Sequence, residues 1–282
     1  MKTPKTIILY HKGCSDGFGA AFAAWKKFGN KAEYIPVKYD EEPPKGLKGK
    51  DIYMLDFCYQ EKTTEKILKT ANSFMIIDHH FSRKKIIKSL PNHIYAENHS
   101  GAILSWKYFQ PNKKIPKLLE YIEDIDLWTR KMPNTSELCA SLWSYEKDFK
   151  IWNKIARDWE TTKGRKKYVE EGRAMLKTHD QIVEQAVRHA QTAKFFGHKV
   201  LVSNSHILTS EIAHALIEKM PPIAIVWYQK GNKIKVRLNS NGKVDVSKLA
   251  QNFNDGGGHK MSSAFLLKQG EKLPWKALKD QR

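Results

Sequence analysis

An aspartate and two histidines, Asp78-His79-His80, stand directly after the apolar run Phe74-Met75-Ile76-Ile77. One carboxylate and two imidazoles at a single point can bind a cation or move a proton. The run is short and rich in Ile, which predicts a buried strand, and strands of parallel sheets carry their chemistry at their carboxyl ends. A lone His-His pair is more often a solvated turn, but here the arrangement recurs. Thr6-Ile7-Ile8-Leu9-Tyr10 predicts a strand that runs into His11-Lys12-Gly13-Cys14-Ser15-Asp16-Gly17, after which small apolar residues continue at helical spacing through Trp25. Ile52-Tyr53-Met54-Leu55 predicts another strand, ending in Asp56. Residues 118–128 form an apolar stretch with Asp124 and Asp126 near its end, read as a fourth acid-bearing strand end. A single strand-terminal Asp is usually the N-cap of the next helix. Four such ends in one segment gather carboxylates and imidazoles at one sheet edge, where they repel or stay desolvated unless a cation neutralises them. The pattern therefore predicts a divalent metal site.

The elements that must position these groups alternate as strands and helices from residue 1 to about 135. Gly101–Phe109 predicts a short helix carrying Trp106, and residues 38–50, with two prolines and two glycines, predict a loop or edge segment. Residues of about 136–195 look helical and hold Trp143, Trp152 and Trp159 beside the bases Lys163, Arg165, Lys166 and Lys167. Two readings stay open for that mixture: a surface that stacks and holds single-stranded nucleic acid, or a Trp core with a solvated basic face. Met175, His179, Ile182, Ala186 and Ala190 recur at helical spacing, so one long helix is expected to link two domains. The second domain is expected to start near Lys199, with strand Val200-Leu201-Val202, a helix over 210–219, the break Pro221-Pro222, a strand over 223–228, the turn Gly231-Asn232 and a strand over 233–238. A helix over 244–253 and a strand over 262–267 flank Gly256-Gly257-Gly258.

Composition agrees with two globular domains. The chain has 282 residues and 41% hydrophobic content, enough for a core in each domain. No apolar run reaches 18 residues, so no membrane-spanning helix is expected. Met1-Lys2-Thr3-Pro4-Lys5 leads at once into a strand without a signal-peptide pattern. Cys14, Cys58 and Cys139 are scattered and odd in number, which suits a reducing cytoplasm and no disulfide framework. The 49 Lys and Arg against 30 Asp and Glu give a formal charge of +19. That excess favours a polyanionic substrate through steering and counterion release, although lysines also decorate surfaces for solubility.

His11…Cys14-Ser15-Asp16-Gly17, Asp56, Asp78-His79-His80 and Asp124 resemble, in order, the four motifs of the DHH phosphoesterases, and Gly256-Gly257-Gly258-His259 resembles the signature of the companion DHHA1 domain. Together the motifs span nearly the whole chain. The resemblance implies an α/β fold of two domains: an N-terminal parallel-sheet DHH domain over 1–135, a helical connector over 136–198 and a smaller α/β DHHA1 domain over 199–282, with the active site in the cleft between domains. It implies His11, Asp16, Asp56, His79 and Asp124 as metal ligands, with Asp56 bridging two ions and Asp126 as the rival of Asp124. Asp78 and His80 are implied at the catalytic position, Asp78 beside His79 and His80 facing the scissile phosphate. Arg237, Gly256, Gly257, Gly258 and His259 are implied as substrate-binding. The expected cofactor is two Mn²⁺, with Mg²⁺ or another divalent metal as alternatives. Cys14 stands where the family usually has a carboxylate. It is either a softer ligand that favours zinc or iron or a small packing residue. The expected activity is metal-dependent hydrolysis of short oligonucleotides, RNA or DNA. The alternatives are a cyclic dinucleotide phosphodiesterase, an inorganic polyphosphatase, or a nucleic-acid-binding protein with a weakened metal site. Whether the chain is a monomer or a homodimer stays open.

Overall fold

The structure is a computed structural model and describes residues 5–39 and 41–278. Met1–Pro4, on which the expectation about a signal peptide bears, Asp40, within the expected loop over 38–50, and Lys279–Arg282, at the end of the expected second domain, lie outside the described residues. The chain divides into two compact units, Met1–Met175 and Leu176–Arg282.

The first unit contains β1 (Thr6–His11), α1 (Ser15–Phe28), β2 (Ala32–Val37), β3 (Asp51–Leu55), α2 (Glu61–Thr70), β4 (Ser73–Asp78), α3 (Lys84–Ser89), β5 (His93–Tyr95), α4 (Gly101–Phe109), α5 (Lys117–Asp126), α6 (Thr135–Trp143) and α7 (Phe149–Trp159). Next comes α8 (Thr162–Arg188), which begins in this unit and ends in the second. The sheet has the order β2-β1-β3-β4-β5, and its neighbouring strands pair in parallel. Parallel strands need both faces covered, and the side chains alternate accordingly. Ile8, Leu55 and Ile77 pack with α1 and α4–α7, while Ile7, Leu9, Ile52, Met54 and Ile76 pack with α2 and α3. The chain reverses its direction of winding between β1 and β3, which opens a crevice at their carboxyl ends.

Residues 118–128 do not form a strand. They belong to helix α5 and its exit, because Leu118, Leu119, Tyr121 and Ile122 recur at helical spacing and bury one face. Trp152 and Trp159 are core residues at 1% and 0% exposure, whereas Trp143 is exposed, so the Trp series is mostly packing. The expected long helix exists as α8 and begins well before Met175. Its first half, with α6 and α7, belongs to the first unit.

The second unit contains β6 (Gln191–Phe195), β7 (His198–Asn204), α9 (Thr209–Lys219), β8 (Ile223–Lys230), β9 (Lys233–Ser240), α10 (Val246–Ala250), β10 (Gly257–His259), β11 (Ser262–Lys268) and β12 (Lys276–Ala277). They build one mixed sheet of order β10-β11-β9-β8-β7-β6-β12, in which β7 and β8 are parallel across α9. One face packs against α10 and the other against α9 and the end of α8. No described helix is long and apolar enough to cross a membrane.

Candidate metal centre

Three strand ends of the first unit converge. β1 ends in His11, β3 runs into Asp56, and β4 ends in Asp78 and leads to His79 and His80. Asp56 leaves its strand in the left-handed region, at φ 59°, with its N–H bonded to the Ile77 carbonyl at 2.8 Å. Asp tolerates that conformation better than most residues, and the turn sets its carboxylate across the strand ends. Cys14 caps α1 by accepting from the Gly17 N–H at 3.1 Å, and its Sγ lies 3.4 Å from both His11 Nδ1 and Asp56 Oδ2. Asp16, in the first turn of α1, reaches the start of α4 and accepts from Gly101 N at 2.7 Å and Ala102 N at 2.9 Å. An anion is favoured at a helix N-terminus.

Asp56 lies among all of these groups. Its oxygens stand 3.6 Å from His11 Nδ1, 3.3 Å from His79 Nε2 and 4.0 Å from His80 Nδ1. His79 Nε2 is also 3.5 Å from Asp16 and 3.6 Å from Asp126. The ligand atoms form three mutually close groups: His11, Cys14 and Asp56; Asp56, Asp78, His79 and His80; and Asp16, His79 and Asp126.

The electrostatics show why such a cluster calls for a cation. Asp16 and Asp56 are 2% and 1% exposed, and among the described residues neither forms an ion pair with a lysine or arginine. Burial, and then the charges of Asp56 and Asp126, push the Asp16 carboxyl well above its usual range. Burial also acts to raise Asp56, but the imidazoles of His11 and His79 outweigh it and hold Asp56 below its usual range. Burial and the Asp56 charge raise Asp126. Burial and the two carboxylates raise the Cys14 thiol as well, so without a cation it stays protonated. One oxygen of Asp56, Oδ1, is buried without a hydrogen-bond donor. Buried polar atoms are rarely left unpaired. A divalent ion among these carboxylate, imidazole and sulfur donors would satisfy Asp56 Oδ1 and remove the repulsion, so the residues fit the metal that the motifs imply.

Asp78 has a different job from the one expected. Its Oδ1 accepts from the backbone N–H groups of His79 and His80 at 2.7 and 3.2 Å and lies 2.7 Å from His80 Nδ1. It therefore orients His80, not the ring of His79. Burial acts to lower His80, but the Asp78 carboxylate and the nearby charges prevail and raise it to about 9.

The expectation for Asp124 is corrected. Its carboxylate turns away from the cluster and accepts from Thr129 Oγ1, Lys131 N, Met132 N and Thr135 Oγ1 at 2.5–3.1 Å. Two residues further along the helix, Asp126 lies on the other side and stands with Asp16 and His79. Two glycines also belong to the site. A Cβ at Gly17 would drive into the His11 carbonyl oxygen, and a Cβ at Gly101 would lie 2.6 Å from Asp56 Oδ1.

In the second unit, Arg237 on β9 donates to Asn239 Oδ1 at 3.1 Å, Thr209 Oγ1 at 3.3 Å and Ser262 Oγ at 3.3 Å. All three partners are neutral, and among the described residues Arg237 forms no close ion pair, although the Glu211 charge acts on it. The register aligns Arg237 with Ala264 and Gly257, and Asn239 with Ser262 and His259. Arg237, Asn239, Ser262, Gly257 and His259 thus share one face of the sheet. Gly257 has open space at its Cβ position, while a Cβ at Gly258, with φ 140°, would meet the Ser263 backbone at 2.6 Å, and one at Gly256 would strike the Ala250 carbonyl.

Residues 198–279 match the DHHA1 domain family. Over 286 aligned residues the chain is 30% identical to an uncharacterized protein, R106, of Acanthamoeba polyphaga mimivirus; the match covers 92% of this chain and 66% of that protein's length. Among solved structures, the chain is similar to the DHH domain of a protein assigned to a family of ribosomal proteins (TM-score 0.61, 13% identity, 99% and 84% of the two chains). It is also similar to the exonuclease RecJ bound to manganese (TM-score 0.56, 13% identity, 93% and 86%). An exopolyphosphatase-related protein of Bacteroides fragilis gives a TM-score of 0.53 at 13% identity, over 95% and 87%. At these identities the structures speak to the fold, and the matched DHHA1 domain fixes the identity of its second half. A parallel sheet that gathers His11, Asp56 and His79 at its strand ends, with Asp16 beside them, is thus followed by a DHHA1 domain over residues 198–279, and the chain shares the fold of the solved DHH-domain protein.

Proposed function

We propose that this chain is a metal-dependent phosphodiesterase that hydrolyses short oligonucleotides. The observation that carries the reading is the cluster around Asp56, a buried carboxylate with an orphaned oxygen between two groups of donors. In this reading Asp56, His11, Cys14, Asp16, His79 and Asp126 would hold the divalent ions, with Asp56 as the carboxylate shared between the two groups of donors. Divalent cations bound there, Mn²⁺ by preference, supply Lewis acidity toward the phosphoryl oxygens and acidify water at neutral pH.

The side chains do the rest. Asp78 fixes the His80 ring through Nδ1 and leaves Nε2 as the free donor. The Asp78 carboxylate favours the charged form of His80, which presents that donor to a phosphoryl oxygen, where charge develops in the transition state. Arg237, with its neutral partners and the glycine-lined strand beside it, binds a phosphate of the substrate portion that is not being cut. The similarity to a manganese-bound exonuclease and the formal charge of +19 support a nucleic-acid substrate.

A substrate panel with Mn²⁺ tests this reading: di- and trinucleotides of RNA and DNA, a cyclic dinucleotide, and inorganic polyphosphate. Short oligonucleotides are cleaved fastest, and Asp56→Ala abolishes cleavage while the protein still unfolds cooperatively. An active Asp56→Ala protein, or preferential cleavage of polyphosphate, refutes it.

A further inference from the structure

The loop between α5 and α6 carries features that the metal centre does not use. Asp124 clamps it from inside through four hydrogen bonds. Under that clamp Trp128 and Arg130 adopt left-handed backbone, at φ 56° and 45°. Bulky residues rarely do so, and such strain persists where the surroundings impose it and a site uses it. The Trp128 ring is 70% exposed, and the Arg130 guanidinium sits 4.6 Å from its centroid. Trp128 lies only two residues beyond Asp126, so their Cα atoms are at most roughly 7.6 Å apart. An indole is thus held out in solvent beside the metal centre, with a cation against one face.

The same loop ends at Asn134, whose side chain makes no cap hydrogen bond. Asn134 lies on the wall of a cavity of about 650 Å³ between the start of α6 and the first turns of α8. Lys163, Lys166 and Arg173 line the cavity, and among the described residues none of the three forms an ion pair. Arg165 also lines it, but it is tied to the Trp159 carbonyl and to Thr162 Oγ1. Among the described residues Glu170 is the one acid in the wall, facing four cations.

We propose that a single nucleic-acid strand leaves the metal centre across Trp128 and continues along this basic groove. Trp128, backed by Arg130, stacks the base next to the hydrolysed phosphate, and Lys163, Lys166 and Arg173 take later phosphates. Aromatic platforms joined to basic grooves are how proteins hold single strands without reading sequence. Polyphosphate has no base to stack, and an acidic protein surface has no regular alternation of ring and phosphate. The proposal rests on the phosphodiesterase reading and names the path of its substrate.

Its test uses Trp128→Ala, Trp128→Phe and the pair Lys163→Gln with Lys166→Gln in the full chain. The substrates are a dinucleotide, the same compound lacking one base, and an eight-residue oligonucleotide. Trp128→Ala raises KM for the dinucleotide roughly tenfold, the fold-change of about 1.4 kcal/mol of stacking. Trp128→Phe retains most of the affinity, and Trp128→Ala barely affects the abasic compound. The lysine pair leaves the dinucleotide unchanged but weakens binding of a labelled octamer, read by fluorescence anisotropy in EDTA, and flattens its salt dependence. Equal losses with and without the base, or equal effects of the lysine pair on both lengths, overturn the path. If the wild type cleaves no oligonucleotide, the phosphodiesterase reading falls, and octamer anisotropy alone decides the strand path: binding that weakens in both sets of variants supports it, and binding unchanged in either overturns it.

Discussion

The site depends on a residue with no side chain, Gly101 at the start of α4. Adding one methyl group there is a sharp test. The Cβ of Gly101→Ala would sit 2.6 Å from Asp56 Oδ1, 2.7 Å from Asp56 Cβ and 2.9 Å from its Cγ. Ordinary van der Waals contact begins near 3.4 Å, so Asp56 must retreat by roughly 0.8 Å. It has little room, being 1% exposed and fixed by its N–H bond to Ile77. Asp16 moves with it, since Gly101 N donates to Asp16 Oδ2 at 2.7 Å. Overpacking of this kind costs about 1–3 kcal/mol. The gain from replacing Gly in a helix, about 0.5–1 kcal/mol, offsets part of that. The net loss is about 1–2 kcal/mol, a fall in Tm of a few degrees for a unit of this size. Catalysis suffers far more, because a misplacement near 1 Å can cost roughly a hundredfold in rate. Calorimetry, Mn²⁺ titration and kcat on a dinucleotide read the three quantities separately. Expected are a small Tm shift, weaker Mn²⁺ binding and a loss of kcat near a hundredfold. Wild-type kcat and Mn²⁺ affinity in Gly101→Ala would refute the assignment of Asp56 as the central ligand.

Asp124 and Asp126 separate by the kind of damage they cause. Asp124→Ala strands four donors and lowers Tm, at about 1–3 kcal/mol for each buried group left unpaired, while Asp126→Ala keeps Tm and loses Mn²⁺ affinity; the reverse pattern would restore Asp124 as the ligand. Cys14→Asp keeps the cap on α1, because Asp is also a good N-cap, and shifts metal preference from Zn²⁺ toward Mn²⁺. Unchanged activation across Mn²⁺, Mg²⁺ and Zn²⁺ would leave Cys14 with its capping role alone. Arg237→Ala raises KM for a di- or trinucleotide roughly ten- to hundredfold, the loss of about 1.5–3 kcal/mol of a charge-assisted contact. It leaves metal uptake intact, and loss of bound Mn²⁺ in this variant contradicts the division of labour.

The strand ends that supply His11, Asp56, Asp78, His79 and His80 were legible because a parallel sheet writes its strands as short apolar runs and places polar chemistry where they stop. The same rule misled at residues 118–128. Leu118, Leu119, Tyr121 and Ile122 form a helical stripe, and a run with acids at its end looks alike in either conformation until the spacing is counted. The choice between Asp124 and Asp126 lay beyond reach, since two positions on a helix point to opposite sides and nothing local says which side meets His79. Strand β6 was missed because Gln191–Phe195 follows α8 with no turn residue to mark the change. Gly17 sat in a quoted motif, yet its contact with His11 appears only once α1 closes on β1. Gly101 bears no local signal, because its partner Asp56 comes from a distant strand.

The parallel order of the first sheet also has a consequence for assembly. In it no two neighbouring strands are joined by a hairpin, so each contact between the segments bearing His11, Asp56 and His79 closes a long loop of chain. Such contacts are slow to form, because loop-closure entropy must be overcome before they are rewarded. A fragment or folding intermediate in which β1, β3 and β4 are not yet paired does not hold the full donor set together. Cation affinity therefore reports completion of the native topology, and a cation that binds only the finished fold draws the population toward it by mass action.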